Sequence, residues 1–174
     1  MSGIVLRSEA PGDAAEVDAL LAEAFGQRGE ADLVERLRGD GGLALSSVAV
    51  CDGRLAAFAA ASPMHRCDGA ATGPVLALAP VAVASPLQNR GLGKAVTGAA
   101  IDAARQTGAL CLTVLGDPAY YGRFGFEPAS RHGMTVEAGD FGDAFMALVF
   151  LPSQELRGVF RWHAAFDPLL AGEG

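Results

Sequence analysis

The chain has a single lysine among its 174 residues, against twelve arginines and twenty acidic side chains, and its formal charge is −7. A protein that neutralises many phosphates by net positive charge needs the opposite balance, which argues against a nucleic-acid binder of that kind. Cysteine is scarce as well. Cys51, Cys67 and Cys111 are far apart, form no CxxC pair and share no ligand spacing with the three histidines. No zinc module is expected, and so sparse and odd a count suits a reducing compartment. Long apolar runs are also missing. The most apolar stretch, residues 74–86, is too short for a membrane span and holds three prolines. Acidic residues interrupt the first residues before any apolar run reaches signal-peptide length. These absences predict a soluble, cytoplasmic protein that works without a metal, a nucleic acid or a membrane.

The remaining composition can build a core. Apolar residues make up 51% of the chain and charged ones only 19%, which rules out wholesale disorder. With no repeat and no Pro/Gly/Ser-rich linker, residues 1–174 read as a single domain. Residues 4–6 predict a short strand. Asp13 precedes a helix carrying Val17, Leu20, Leu21 and Ala24 on one face, with Glu16 at the capping-box position. A second helix is expected over 31–37. Asp52-Gly53 between two apolar runs, 47–51 and 54–59, is a strong hairpin signal. Residues 76–83 read as a buried strand that Pro80 interrupts, by a bulge or by an end to pairing. The clearest helix is 91–106, with Leu92, Ala95, Val96, Ala99, Ala100 and Ala103 in one stripe and Gly108 as its stop. Residues 110–115 form a charge-free strand, Asp117-Pro118 opens a short helix, and 145–151 and 159–163 read as closing strands. The order of elements is that of an α+β or mixed α/β domain with at least one parallel crossover.

Chemistry concentrates where the strand ending at Val83 meets the helix starting at Gly91. A glycine-bearing loop opening a helix presents unpaired N–H groups at the positive end of the dipole, a setting suited to phosphate or pyrophosphate. Arg90 and Lys94, the only lysine, flank it. A P-loop would need Ser or Thr after Lys94, where Ala95 stands. A dinucleotide fingerprint would need Gly or Ala where Val96 stands. What fits is Gln88-x-x-Gly91-x-Gly93 after an apolar strand, followed by Gly116-Asp117-Pro118-Ala119-Tyr120-Tyr121-Gly122-Arg123-Phe124-Gly125-Phe126.

In these two motifs the chain resembles the GNAT superfamily of acyl-CoA-dependent N-acetyltransferases. The longer motif is similar to a bacterial subgroup of predicted N-acetyltransferases, as is the tail from Gly158 to Phe166. The resemblance implies a GNAT-like α+β fold: a mixed, mostly antiparallel sheet of six or seven strands, flanking helices and a central splayed parallel pair. It implies that acetyl-CoA donates an acetyl group to a small-molecule or peptide amine. By the resemblance, the pyrophosphate would lie on the backbone of Gln88, Asn89, Arg90, Gly91, Leu92, Gly93 and Lys94. The pantetheine arm would run along Val81, Ala82 and Val83, one of whose N–H groups would face the oxyanion. Tyr121 matches the general-acid position, with Tyr120 as the alternative. The resemblance implies direct attack in a ternary complex.

Departures from the family pattern leave other points open. Asp117 stands where many members carry Asn, and N-capping is its expected role. No acid lies on strand 76–83, so the general base is unassigned; His65, Asp68, His132 or solvent are the options. Cys111 is expected to be an inert buried thiol rather than an acyl carrier, and Trp162 a core aromatic. The loops expected to shape the acceptor pocket, 25–30 and 64–73, hold no recognised motif. An acyl-CoA sensor without turnover, a different acyl group and an oxygen acceptor remain rivals. Self-association is common in the family, which leaves a homodimer open.

Overall fold

Asp52 and Gly53 both take left-handed backbone, with φ of 50° and 77°. This is what a two-residue turn matched to the twist of its strands requires. In the computed structural model, which describes residues 3–173, that turn joins two central strands. In chain order the elements are β1 (Val5–Ser8), α1 (Ala14–Phe25), α2 (Gly29–Gly39), β2 (Leu45–Cys51), β3 (Arg54–Pro63), β4 (His65–Arg66) and β5 (Val75–Val83). There follow α3 (Leu92–Gln106), β6 (Cys111–Leu115), α4 (Pro118–Tyr121), β7 (Glu127–Pro128), β8 (Met134–Val136), β9 (Phe145–Val149), β10 (Gly158–Arg161) and α5 (Asp167–Leu170). Seven strands form one sheet in the order β1-β2-β3-β5-β6-β9-β7, antiparallel except for the β5–β6 pair. The expected α+β fold with a central parallel pair is therefore present. A second sheet, β4-β10-β8, was not legible, because its strands are two to four residues long.

The central strands of the sheet are buried on both faces, while the edge strand β1 is exposed. Helix α3 covers one, where Val96, Ala100 and Ala104 meet Ala57, Ala59, Ala61, Leu76 and Leu78. Small residues on both sides bring helix and sheet close together. On the other face α1 and α2 pack Val17, Leu21 and Val34 against Val48 and Phe58. The second sheet and the C-terminal segment extend that layer, with Trp162, Phe145 and Phe166 against Leu33 and Leu37. Trp162 is 9% exposed and lies against the rings of Phe141, Phe145 and Phe166, so it is the expected core aromatic.

The expected cap of α1 does not form. Asp13 accepts instead from Arg7, at 2.6 and 3.0 Å, and from the Ala10 N–H at 2.7 Å, closing a short turn ahead of the helix. Glu16 accepts from the Leu55 N–H at 3.2 Å, tying α1 to the hairpin. Asp117 does cap α4, accepting from the Ala119 N–H at 2.9 Å. Gly108 takes φ 78° just past α3, as a stop should.

Candidate active site

The cleft begins where β5 and β6 part. Their pairing runs Val75–Cys111, Leu76–Leu112, Ala77–Thr113 and then stops. Beyond it β5 pairs only with β3 and β6 only with β9. At the point of parting the Thr113 hydroxyl donates to the Leu76 carbonyl oxygen at 3.1 Å, with the Met64 sulfur equally near. Thr113 is fully buried.

Pro80 sits in a bulge, as the sequence suggested. Ala61 pairs with Leu78 and Ala59 with Val81, so Ala79 and Pro80 together oppose Ala60. An extra residue reverses which side chains face which layer. Leu76 and Leu78 point at α3 before the bulge, and Val81 and Val83 after it. The main chain reverses too. The Ala84 N–H donates to Ala56 at 2.9 Å, so Ala82 and Ala84 turn toward β3. Val81 and Val83 therefore turn their peptide groups into the cleft. Gln88 caps one of these groups, donating from Nε2 to the Val83 carbonyl at 3.3 Å. Ala82 is placed differently from its neighbours: its main chain faces β3 and its side chain is in the α1 core.

The loop from Gln88 to Lys94 closes the end of β5. Asn89 and Gly91 adopt left-handed backbone, φ 61° and 83°, and Gly91 caps α3 without a side-chain bond. Among the described residues, the N–H groups of positions 89–94 find no acceptor in the chain. Leu92 is buried under α3, whereas Arg90 and Lys94 are exposed.

Of the two tyrosines of α4, Tyr120 reaches this loop and Tyr121 packs beside it. A Cβ on Gly93 would stand 3.2 Å from the Tyr120 hydroxyl and 3.4 Å from Val83, so only glycine leaves both in place without crowding. Tyr121 lies edge-on to Tyr120, with ring centroids 4.9 Å apart, and edge-on to Phe126 at 5.7 Å. Its ring lies directly on Gly116, where an added Cβ would come within 2.9 Å of Cδ2 and closer still to Cε2. Burial, with a smaller contribution from Tyr120, pushes the Tyr121 phenol up to about 12. Neither tyrosine hydroxyl has a hydrogen-bond partner among the described residues. Gly116 opens the second sequence motif, but the sequence alone gives it no role; the contact with the Tyr121 ring makes it a close-approach site that only glycine fills.

The residues considered for a general base are elsewhere. His65 and the 64–73 segment lie at the N-terminal end of β5, opposite the end that carries the loop; Met64 itself bonds Val75 and is in the core. Nine strand residues separate the two ends, roughly 27 Å. Asp68 is bound by Arg66, which holds its carboxyl far below the usual range. His132 is beside Glu127 at 3.6 Å, at the β7 edge. Cys111 is fully buried at the closed end of the cleft, and desolvation pushes its thiol up to about 12. Such a thiol is almost wholly protonated at neutral pH, the opposite of an activated nucleophile. Among the described residues, no three His, Cys, Asp or Glu side chains cluster as metal ligands, and no helix is long and apolar enough to cross a membrane.

This architecture has known counterparts. The family model described as "Acetyltransferase (GNAT) family" matches residues 14–126. An uncharacterized N-acetyltransferase, YhbS, of Escherichia coli K12 is 38% identical over 133 residues, covering 74% of this chain and 77% of its own. The crystal structure of E. coli YhbS in complex with CoA superposes with a TM-score of 0.85 at 31% identity, over 96% of this chain and 93% of that one. A GNAT family acetyltransferase from Brucella melitensis, solved with acetyl-CoA, gives 0.81 at 32% identity, over 96% of this chain and all of its own. The chain belongs to the GNAT family of acetyltransferases.

Proposed function

We propose that the protein transfers an acetyl group from acetyl-CoA to an amine by direct attack in a ternary complex, with Tyr121 as the proton-transferring residue. The observation that carries this reading is the convergence of three features at one end of β5: an open strand edge, a loop of unused N–H groups and a protonated phenol. The phosphates would rest on the N–H groups of 89–94 at the start of α3, where the helix dipole favours negative charge. The pantetheine arm would bond to Val81 and Val83, the two residues whose peptides face the cleft, and the thioester would lie near Tyr121. Two structural relatives were solved with CoA and with acetyl-CoA, which supports an acyl-CoA as the ligand.

The chemistry then follows from charge. The amine lone pair attacks the thioester carbonyl carbon, and a main-chain N–H of Val81 or Val83 stabilises the oxyanion. Collapse breaks the carbon–sulfur bond, and the proton lost by the amine nitrogen ends on sulfur. Tyr121 suits the relay. Its phenol stays protonated throughout the neutral range and can donate as charge develops on sulfur. At about 12 it is too weak an acid to give up its proton outright to a thiolate, so it passes on the ammonium proton as it donates its own. The amine would approach from the face opposite α3. There Leu115 is 41% exposed, and a cavity of about 600 Å³ lined by Ser130, Asp140, Phe141, Asp143 and Phe145 opens at the start of β9. With no acid on the cleft strand, the amine enters already neutral or loses its proton to solvent.

Thermal unfolding with acetyl-CoA, CoA, NAD and ATP in parallel is the first test. A ligand confined to the folded state adds about 2.7 kcal/mol at a hundred times its dissociation constant. Stabilisation by both CoA species but not by NAD or ATP is the expected result. No shift with either CoA species overturns the reading. Tyr121→Phe then separates an enzyme from an acyl-CoA sensor: turnover falls at least a hundredfold while CoA binding persists.

A further inference from the structure

Resting on the acetyl-CoA reading above, we propose that Tyr120 and Arg123 form a second wall of the phosphate site, in which the Arg123 guanidinium donates to a phosphate group of the acyl-CoA. The two tyrosines then divide the work, with Tyr121 at the sulfur and Tyr120 at the phosphates.

The geometry begins at Gly93, which has no side chain and so lets the Tyr120 hydroxyl come down on the first turn of α3. Tyr120 also lies edge-on to Phe124, at 5.5 Å between centroids, and to Tyr121, which fixes its ring from two sides. Arg123 is stacked over that ring, with Cζ 5.0 Å from the centroid. Its guanidinium N–H groups find no acceptor among the described residues, so they are free to meet phosphate oxygens in a fork. Among the described residues Arg123 touches no carboxylate, and neither do Arg90 and Lys94. Five other arginines, at positions 7, 28, 38, 66 and 131, are each paired with an acid. Arg36, Arg54, Arg105, Arg157 and Arg161 also lack an acid partner among the described residues, but Arg90, Lys94 and Arg123 are the exposed cations carried by the loop at the start of α3 and by the segment whose tyrosine touches it. The Tyr120 hydroxyl, itself without a partner, adds a neutral donor at the same place.

CoA carries two kinds of phosphate, the diphosphate and the ribose 3′-phosphate. Calorimetric titration of the whole protein with CoA and with dephospho-CoA distinguishes them. Arg123→Gln is expected to weaken CoA about tenfold, and Arg123→Lys to recover part of the loss. If Arg123 reads the ribose phosphate, wild type prefers CoA to dephospho-CoA about tenfold and Arg123→Gln loses that preference. If it reads the diphosphate, both ligands weaken equally. Arg131→Gln, which removes the same charge at the β7 edge, leaves both affinities within twofold. Tyr120→Leu removes the platform, so adding Arg123→Gln to it changes little; full additivity of the two losses refutes the stacked arrangement. Wild-type affinity of Arg123→Gln for both ligands, with an unchanged salt dependence, overturns the proposal. Failure of wild type to bind CoA instead overturns the acyl-CoA reading beneath it.

Discussion

Gly116→Ala places a single methyl group under the Tyr121 ring, and the structure sets what it must do. The new Cβ would stand 2.9 Å from Tyr121 Cδ2 and nearer to Cε2, whereas ordinary contact begins at 3.4 Å. The main chain cannot retreat easily, because the Gly116 N–H is bonded to the Ala144 carbonyl at 2.9 Å. The ring cannot slide freely either, with Tyr120 and Phe126 against its other sides. Overpacking of this kind costs about 1–3 kcal/mol. Gly116 has ordinary backbone, so elsewhere the same substitution would stabilise by about 0.4–1 kcal/mol through the unfolded chain. The ring must withdraw about 1 Å, a misplacement that costs a catalytic group roughly a hundredfold. Urea unfolding measures the first effect and thiol release from acetyl-CoA, with an amine found by screening, the second. In a Tyr121→Leu background the destabilisation should vanish or reverse, since the obstructing ring atoms are gone. A Gly116→Ala protein as stable and as active as its parent refutes the argument.

Three other outcomes are expected. Thr113→Val strands the buried Leu76 carbonyl at the point where β5 and β6 part, and should cost about 1–3 kcal/mol in urea unfolding. In the native protein the exposed Cys67 should react first with a thiol reagent, Cys51 more slowly, and Cys111 only on unfolding, which mass spectrometry of partially labelled protein reads directly. Asp13→Asn should destabilise the protein at neutral pH. Arg7 and the Ala10 N–H hold the folded carboxyl at about 2 against an ordinary 3.8, so its stabilisation is complete above pH 4. The difference between wild type and variant should therefore shrink as pH falls from 4 through 2 in parallel denaturation curves.

The signals that could be read in advance were those carried by backbone geometry. The Asp52-Gly53 hairpin, the Gly108 stop of α3 and the Asp117 cap each need a particular residue at a particular place, and each formed. The α3 helix formed too, but its buried face is Leu92, Val96, Thr97, Ala100, Ile101 and Ala104, so Ala95, Ala99 and Ala103 of the expected stripe lie at its half-buried edge. Asp13 failed as a cap because Arg7, six residues back, competes for the same carboxylate, and a local pattern does not register a strand partner. The strands β4, β7 and β8 escaped notice because two or three residues carry no periodicity; only their partners β9 and β10 make them strands. The same limit applies at the site. Gln88, Gly91 and Gly93 announced a phosphate loop, but the contact of Tyr120 with Gly93 and of Tyr121 with Gly116 joins segments about 27 and 5 residues apart by side-chain reach. The 64–73 loop was assigned to the acceptor pocket for want of a topology. Once β5 is seen to run between that loop and the phosphate loop, the two are at opposite ends.

The bulge at Ala79-Pro80 explains why a proline can occupy the strand on which the cleft depends. Before it, the Val75 carbonyl accepts from Met64 and the Leu76 carbonyl from Thr113, so even-numbered residues face β6. Without an inserted residue that alternation would turn positions 80 and 82 into the open cleft. Position 80 has no N–H to offer, and the side chains of 81 and 83 would leave the α3 core. The extra residue shifts the alternation by one. It puts Pro80 opposite Ala60 together with Ala79, which still has an N–H, and turns Val81 and Val83 to the cleft with their N–H groups intact. It also keeps their side chains on α3, which anchors the strand after β6 has left it. Deleting Ala79 should therefore leave Val81 opposite Ala59 and its peptide in the cleft, but make Pro80 the sole partner of Ala60. CoA binding should persist while urea unfolding shows a loss of about 1–3 kcal/mol for the missing N–H, which Pro80→Ala in the shortened chain should recover; loss of CoA binding on the deletion alone refutes the argument.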